Sequence, residues 1–443
     1  MPATALARRV IRRLRELGHE ALLAGGCVRD LLLGREPKDY DVATSALPDA
    51  VEAAFARTVA VGKQFGVIRV LDENLPEIAI EVATFRHDGP YLDGRHPSSV
   101  AFTSAPEDAA RRDFTVNALF LDPETSEVHD YVGGLADLKR RVIRAVGIPR
   151  ARFEEDKLRL LRAVRFAAGL GFDIADETLE AVTAMAPQVC QCSGERIRDE
   201  LARLLTAKGA SRGLRLMLQT GLLDAILPEV AAMHGVRQPP EFHPEGDVLV
   251  HTMLALDMMD QPASLTLALA VLLHDVGKPP TFDDSGDRIR FHGHDKLGAQ
   301  MAGEILLRLR FPGEVIARVA SLVQDHLKFI NVPKMSTATL KRFLRKEHFD
   351  EDLALHRLDC QASHGKLDTW CFARDKLAEF ARQPQALRPP LPLDGNDLKA
   401  LGLPPGPVYR ELLTALEDEV LEGRVANREQ ALAFVKGRAG LRG

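Results

Sequence analysis

Short apolar runs punctuated by Gly and Pro fill the first third of this 443-residue chain, and beyond about Pro149 they cease. From there on apolar residues recur at helical spacing. That switch confines any substantial sheet to the first third. Strands are expected at Ala21–Ala24, Tyr40–Ala43, Val67–Leu71, Ile78–Ala83 and Val116–Leu121, which predicts an α/β or α+β unit over residues 1–145. Leu158, Leu161, Val164 and Ala168, then Ile197, Leu201, Leu204 and Leu205, mark helices of a second segment, 146–236. RQPPEFHP (Arg237–Pro244) opens a third helical segment, 237–380. A Pro-rich linker, Ala381–Gly395, then leads into a helical tail, so the last segment is 381–443.

Hydrophobic residues make up 46% and charged residues 27%, enough for each segment to bury a core, which argues against wholesale disorder. The longest aliphatic run, Leu265–Leu273, falls far short of the ~20 residues of a spanning helix, so no membrane association is expected. The basic N-terminus carries no apolar leader core, and five cysteines without CxxC spacing fit neither a disulfide framework nor a thiolate zinc site. These features predict a cytoplasmic protein. Lys and Arg number 58 against 63 Asp and Glu, which by itself favours no nucleic-acid partner. Yet Lys139–Arg165 holds ten Lys or Arg and three Asp or Glu. Such a stripe is either a footprint for phosphates or a solvated helix face.

LLAGGCVRDLLLGREPKDYDVATSA carries the most chemistry per residue. Gly25 and Gly26 stand between an expected strand and an expected helix, Cys27–Leu33. There, backbone amides can approach a phosphate, and the Arg29 fork can take a phosphate oxygen. A purely structural turn is the alternative. Asp39 and Asp41, at i and i+2 of an expected strand, would leave one face of the sheet, with Glu81 on the polar side of IAIEVATFR as a third carboxylate. Like charges held together call for a cation, and hard oxygen ligands suit Mg²⁺. EEDKLRLLRAVRF places Asp156, Arg159, Arg162 and Arg165 at three-residue steps along one broad face of an expected helix. Three arginines with one acid exceed what ion pairing needs and favour an anionic ligand.

GGCVRDLLLG followed by DYD, with DGPYLDGRHP (Asp88–Pro97), RRDFTVNALF (Arg111–Phe120), EEDKLRLLRAVRFAAGLGF (Glu154–Phe172) and GERIRDEL (Gly194–Leu201), resembles the class II tRNA nucleotidyltransferases and bacterial poly(A) polymerases of the DNA polymerase β-like superfamily. The resemblance covers about the first 225 residues. It implies a polymerase β-like α+β head followed by a mostly helical neck and body. It implies Asp39, Asp41 and Glu81 as catalytic carboxylates with Mg²⁺, and Gly25, Gly26 and Arg29 at the triphosphate. Arg112 would serve as phosphate or ribose ligand and Asp113 as ribose ligand; an Arg-Asp surface pair is the plain alternative. Asp156 and Arg159 would read the base of CTP or ATP, with Arg162 and Arg165 holding the triphosphate. The partner would be tRNA, extended by CCA or part of it with loss of pyrophosphate. Asp88–Phe102 fits a mobile specificity loop, which weighs against CC-only addition. VGKQFGVIRV (Val61–Val70) departs from the arginine-rich poly(A) polymerase signature and favours tRNA maturation, with an A-adding enzyme or a poly(A) polymerase as the alternatives.

The third segment holds His251, LLHDVGK with His274 and Asp275, FHGHD with His294, LVQDH with His326, and LHRLDC with Asp359. This looks like the HD phosphohydrolase superfamily, an α-helical domain that gathers metal through H…HD…D. His251, His274, Asp275 and Asp359 match that pattern, and His294 and His326 would complete a two-metal site. Imidazoles with carboxylates suit Mn²⁺, Ni²⁺ or Fe²⁺ better than Mg²⁺. Lys278 is a phosphate contact by the same reasoning. An HD phosphohydrolase or regulatory binder with an inactive transferase head is the reading from a different class.

Overall fold

The computed structural model describes residues 2–89, 99–382 and 384–440. The chain divides into two compact units, 1–231 and 232–443. No helix among the described residues is long and apolar enough to cross a membrane. Most of the segment expected to be a mobile loop, Pro90–Ser98, lies outside the described residues.

The first unit is built on one mixed sheet. Its strands are β1 (Ala21–Ala24), β2 (Asp41–Thr44), β3 (Thr58–Gly62), β4 (Val67–Leu71), β5 (Ala79–Thr84), β6 (Phe120–Leu121) and β7 (Val128–His129). Their order is β3-β4-β5-β2-β1-β6-β7, and only β2 and β5 run parallel. In that parallel pair Asp41 stands opposite Glu81. Leu22, Ala24, Ala43, Phe85 and Phe120 form part of the buried core, with Phe85 and Phe120 edge-on at 6.0 Å.

Several elements differ from expectation. The second and fourth strands lie one residue further along than predicted. Asp39 therefore sits in a bend ahead of β2, outside the strand that was expected to carry it. Val116–Leu121 is not one strand. Thr115–Asn117 forms a buried 3₁₀ turn, pinned by Thr115 Oγ1 donating to Asp137 at 2.8 Å, and only Phe120–Leu121 pairs. β3 escaped notice because it is an edge strand with Val59 and Val61 exposed, so it lacks an alternation in burial.

Five helices matter for the first unit: α1 (Pro2–Glu16), α2 (Gly26–Leu32), α3 (Pro149–Glu155), α4 (Leu158–Leu170) and α5 (Gly194–Leu205). α4 buries Leu158, Leu161, Val164 and Ala168 as its spacing predicts, and ends at Gly171 with φ +70°. The expected helix through EEDKLRLLRAVRF is two helices. Asp156 is extended, at φ −147° and ψ 107°, between α3 and α4, because the carboxylate caps by accepting from the Leu158 amide at 3.0 Å. Short pairings also persist past the expected end of the strands: Val142–Ile143 with Asp173–Ile174, and Phe282–Asp283 with Arg290–Phe291.

The second unit is predominantly helical. α6 (Val248–Asp257), α7 (Leu265–Leu273), α8 (His294–Arg308), α9 (Gly313–Asp325) and α10 (Phe349–Ala362) surround its histidine cluster. α7 is apolar all round, with six of its nine residues, Ala268–Leu273, buried, so it runs through the core. At its end Gly277 is required: a Cβ there would lie 2.3 Å from the His294 carbonyl oxygen. This close approach brings the start of α8 against the His274–Asp275 turn.

Candidate functional site

In the first unit a cleft of about 520 Å³ is lined by residues from the β1–α2 turn, β2, β5, the Arg111–Asn117 segment, α4 and α5. Gly25, Gly26, Arg29, Asp41, Glu81, Arg112, Asp113, Asp156, Arg159 and Arg162 all face it. Asp39 and Arg165 do not line it. Asp39 is exposed in its bend, and the Arg165 guanidinium is turned onto the Glu200 carboxylate. Gly25 takes φ +77° and ψ −135°, and a Cβ there would meet Arg112 Nη1 at 2.9 Å. Only glycine allows that turn beside that guanidinium.

Asp41 carries the electrostatic signature of a cation site. Burial, then the facing Glu81, and finally Asp39 push its carboxyl up to about 6, against the opposing charge of Arg112. Glu81 is exposed and ion-pairs with Arg69 at 2.8 Å. The basic wall is more fully paired than its sequence suggests. Arg29 donates to Asn117 Oδ1 at 2.6 Å and to Asp30 at 2.8 Å. Arg112 grips Asp108 through two nitrogens at 2.9 and 3.1 Å and lies over Phe120. Arg162 binds Asp113 Oδ2 through Nε and Nη2 at 2.9 and 2.6 Å and reaches Glu200 at 3.4 Å. Burial opposes ionisation of Asp113, yet the Arg162 charge holds its pKa below the usual carboxylate range.

The inference from three arginines and one acid is therefore corrected, since Glu155 within the motif, and Asp113 and Glu200 from outside it, supply the missing charge. Arg159 bonds Glu155 at 2.5 Å and the Arg152 carbonyl at 2.9 Å. Asp156 accepts from Arg196 at 2.7 Å. Arg111, Arg196 and Phe166 also line the cleft and escaped the sequence reading. Arg196 lies in the GERIRDEL motif, so the motif was visible but the direction of its arginine was not.

In the second unit all six expected ligands converge, from α6, the end of α7, α8, the end of α9 and α10. His251, His274 and Asp359 form one set of possible metal ligands, and Asp275, His294 and His326 an adjacent one. His251 Nε2 is 3.3 Å from His274 Nε2 and 3.2 Å from Asp359. Asp275 reaches His274 at 3.3 Å and His294 at 3.6 Å. Three of the imidazoles are aimed alike: Nδ1 of His274, His294 and His326 meets the carbonyl three residues earlier, of Val271, Phe291 and Val323, at 2.9, 2.8 and 2.6 Å. Spending Nδ1–H on those carbonyls leaves bare Nε2 lone pairs pointing inward. His294 and His326 then face each other lone pair to lone pair at 3.3 Å, a repulsion that a cation removes. Burial above all pushes His326 down to about 4, which keeps it an unprotonated ligand at neutral pH. The donor set fits a metal.

Lys278, expected as a phosphate contact, lines the pocket over the cluster and is paired there with Asp275 at 2.7 Å and Gln238 at 2.6 Å. Glu245 was missed because it directly follows what looks like a Pro-rich boundary, Arg237–Pro244. Its Oε1 is hydrogen-bonded to His243 Nδ1 at 2.8 Å and lies 2.8 Å from His251 Nδ1, so its charge stands behind a metal-binding imidazole. Glu245→Gln is expected to weaken transition-metal affinity about 10- to 100-fold, measured by chelator competition. Unchanged affinity would show that His251 needs no such support.

A Gly-cornered sheet with facing carboxylates, a basic helical wall, and a separate five-helix His/Asp cluster define a nucleotidyltransferase head in a chain with an HD domain. Residues 21–144 match the family described as the poly A polymerase head domain, 171–233 the probable RNA and SrmB-binding site of polymerase A, and 243–358 the HD domain. The chain is 37% identical to the A-adding tRNA nucleotidyltransferase of Deinococcus radiodurans, over 94% of this chain and 95% of that one. It is 36% identical to the CC-adding tRNA nucleotidyltransferase of Thermus thermophilus (94% and 93%), and 34% to the CCA-adding enzyme of Levilactobacillus brevis (96% and 96%). The crystal structure of the Bacillus stearothermophilus CCA-adding enzyme in complex with CTP superposes with a TM-score of 0.77 at 28% identity, covering 99% and 98% of the two chains. This chain belongs to the tRNA nucleotidyltransferase family and is a nucleotidyltransferase.

Proposed function

We propose that this enzyme extends the 3′ end of tRNA with C and A from CTP and ATP, releasing pyrophosphate. The observation that carries this reading is the joining of Asp41 and Glu81 to Asp156, Arg159 and Arg162 in one cleft. Asp39, Asp41 and Glu81 would hold Mg²⁺, which supplies charge to activate the primer hydroxyl and stabilise the leaving group. Gly25, Gly26 and Arg29 border the phosphates, Arg112 and Asp113 the ribose. Arg162 completes the basic wall with Asp113 fixing its fork, while Arg165, turned onto Glu200, would add charge from behind it. Asp156 accepts from the exocyclic amino group of the base and Arg159 donates to its ring acceptors, so side chains replace a template. In the HD domain the two His/Asp sets would hold Mn²⁺, Ni²⁺ or Fe²⁺ for hydrolysis of a phosphate ester. The head, 1–145, and neck, 146–236, would work as one machine, with the HD domain at 237–380 and a linker and tail at 381–443.

A second reading, A-only addition, is favoured by the Deinococcus radiodurans relative, named an A-adding enzyme. Sequencing the products from tRNA transcripts ending before C, CC or A separates the two. C added to the first transcript rejects A-only addition, and A on the CC transcript alone rejects the full reaction. For base choice, Asp156→Ala or Arg159→Ala should relax discrimination by about 1–3 kcal/mol in kcat/KM among CTP, ATP, UTP and GTP. Unaltered preference in both variants sinks the reading wall.

A further inference from the structure

Glu81 stands between two partners. Across β2 it faces Asp41, and across β4 it faces Arg69, so one row over three strands reads Asp41, Glu81, Arg69. Val59 of the edge strand β3, 47% exposed, comes next in that row. Val67 and Arg69 are two positions apart on β4 and share one face, and Val67 lines the cleft. Arg69 therefore lies on the cleft face of the sheet, one strand or about 4.8 Å beyond Glu81. Its Nη2 donates to Glu81 Oε1 at 2.8 Å, with side chains 44% and 47% exposed. A pair this open to water adds little to stability. Nε and Nη1 of Arg69 have no partner among the described residues. The arginines on the nucleotide side of the carboxylates differ, since Arg112, Arg159 and Arg162 are each tied to a further carboxylate.

Strand order decides what those two nitrogens can meet. The Gly25–Gly26 corner ends β1, the carboxylates of β2 and β5 follow, and Arg69 on β4 lies beyond them. In phosphoryl transfer the attacking and leaving oxygens stand roughly in line on opposite sides of the phosphorus. With the triphosphate held at the β1 corner, pyrophosphate departs toward β1, and the primer hydroxyl arrives over β5 and β4. We propose that Arg69 is a primer-positioning residue: its free nitrogens take the last phosphodiester of the RNA, one nucleotide behind the attacking hydroxyl, while Nη2 holds Glu81. The assignment rests on the reading of the cleft as a tRNA-extending site. The terminal base of the primer changes as nucleotides are added, so a contact made in every round must be to the backbone. A guanidinium fork matches the oxygens of a phosphodiester, and its unspent N–H groups face the side from which that group comes.

The test pairs Arg69→Gln in the full chain with a synthetic acceptor-stem RNA ending in CC, made with or without a neutral methylphosphonate at its last linkage. Binding is measured at equilibrium without Mg²⁺. In the wild type the neutral linkage should weaken binding about tenfold, the loss of one charge-assisted contact. Arg69→Gln should bind the unmodified RNA about tenfold more weakly, and the neutral linkage should then cost less than about twofold. A methylphosphonate several linkages further back should cost the same in both proteins. In ATP addition at saturating Mg²⁺, Arg69→Gln should raise KM for RNA about tenfold with KM for ATP within about twofold, and Arg69→Lys should recover part of the loss. Arg57→Gln, exposed ahead of β3 and bonded to the Glu73 carbonyl, should leave KM for RNA within about twofold. The thermal midpoint of Arg69→Gln should stay within about 3 °C of wild type, the scale of an exposed ion pair. A terminal-linkage penalty equal in wild type and Arg69→Gln would overturn the proposal. So would an unchanged KM for RNA, or an equal loss in Arg57→Gln. If the wild type adds nothing to the RNA, the reading of the cleft fails. The linkage penalty in equilibrium binding then still decides Arg69, supporting it if the penalty vanishes in the variant and overturning it otherwise.

Discussion

Asp41→Ala should lower nucleotide addition on the order of 10³-fold, with tRNA affinity within about twofold of wild type. The side chain stands opposite Glu81 on a parallel strand pair, and burial, Glu81 and Asp39 together push its carboxyl up to about 6. A group whose folded pKa lies above its unfolded value costs stability when ionised. Well above pH 6 the fold therefore holds Asp41 as an anion at its own expense, and a bound cation reverses that cost. Removing the charge should leave the thermal midpoint of the metal-free protein unchanged or raised. A structural carboxylate would behave in the opposite way. Asp39→Ala should also reduce turnover by sharing the same cation, although Asp39 approaches from an exposed bend. Near-normal turnover of Asp41→Ala at saturating Mg²⁺ would refute the assignment.

His274→Ala with Asp275→Ala should strip transition metal from the protein and abolish phosphodiester or phosphomonoester hydrolysis, while CTP addition stays within about threefold. The substrate to try first is an RNA end blocked by a 2′,3′-cyclic or terminal phosphate, because its hydrolysis restores a primer. The softer donor set of the HD cluster and the all-oxygen set of the head call for different metals. Each set lies within its own compact unit. Asp275 also pairs with buried Lys278, so circular dichroism must accompany the double variant. His326→Gln avoids that pair and should lose metal with the fold intact, its ring being tied to the Val323 carbonyl and facing His294. Equal metal stoichiometry in wild type and both variants would show that the cluster is not a metal site.

Arg162 shows how the structure reshapes a prediction. From its position in the motif it is a triphosphate ligand, and Arg162→Ala should weaken all nucleotides alike. Its fork is in fact spent on Asp113, whose side chain is 10% exposed at the cleft wall and held ionised by that contact. Truncation would strand a buried carboxylate, which typically costs about 3–5 kcal/mol, so the loss would appear in stability as well as in binding.

Local regularity is what the sequence determines by itself. The buried face of α4 follows from the spacing of Leu158, Leu161, Val164 and Ala168, and the apolar run of α7 fixes a core helix. The HD cluster was legible because His274 and Asp275 interrupt a long apolar run and further histidines recur in order on either side. Charge pairing was not legible, because it is decided across long separations. Asp113 meets Arg162 49 positions away and Asp156 meets Arg196 40 positions away. Asp41 meets Glu81 through a strand register that no periodicity encodes. The same ten basic residues therefore divide in two only after folding. Arg159, Arg162 and Arg165 are neutralised inside, by Glu155, Asp113 and Glu200, because a buried guanidinium must find a carboxylate. Lys139, Arg140 and Arg141 stay charged outside, because water solvates what the interior would not.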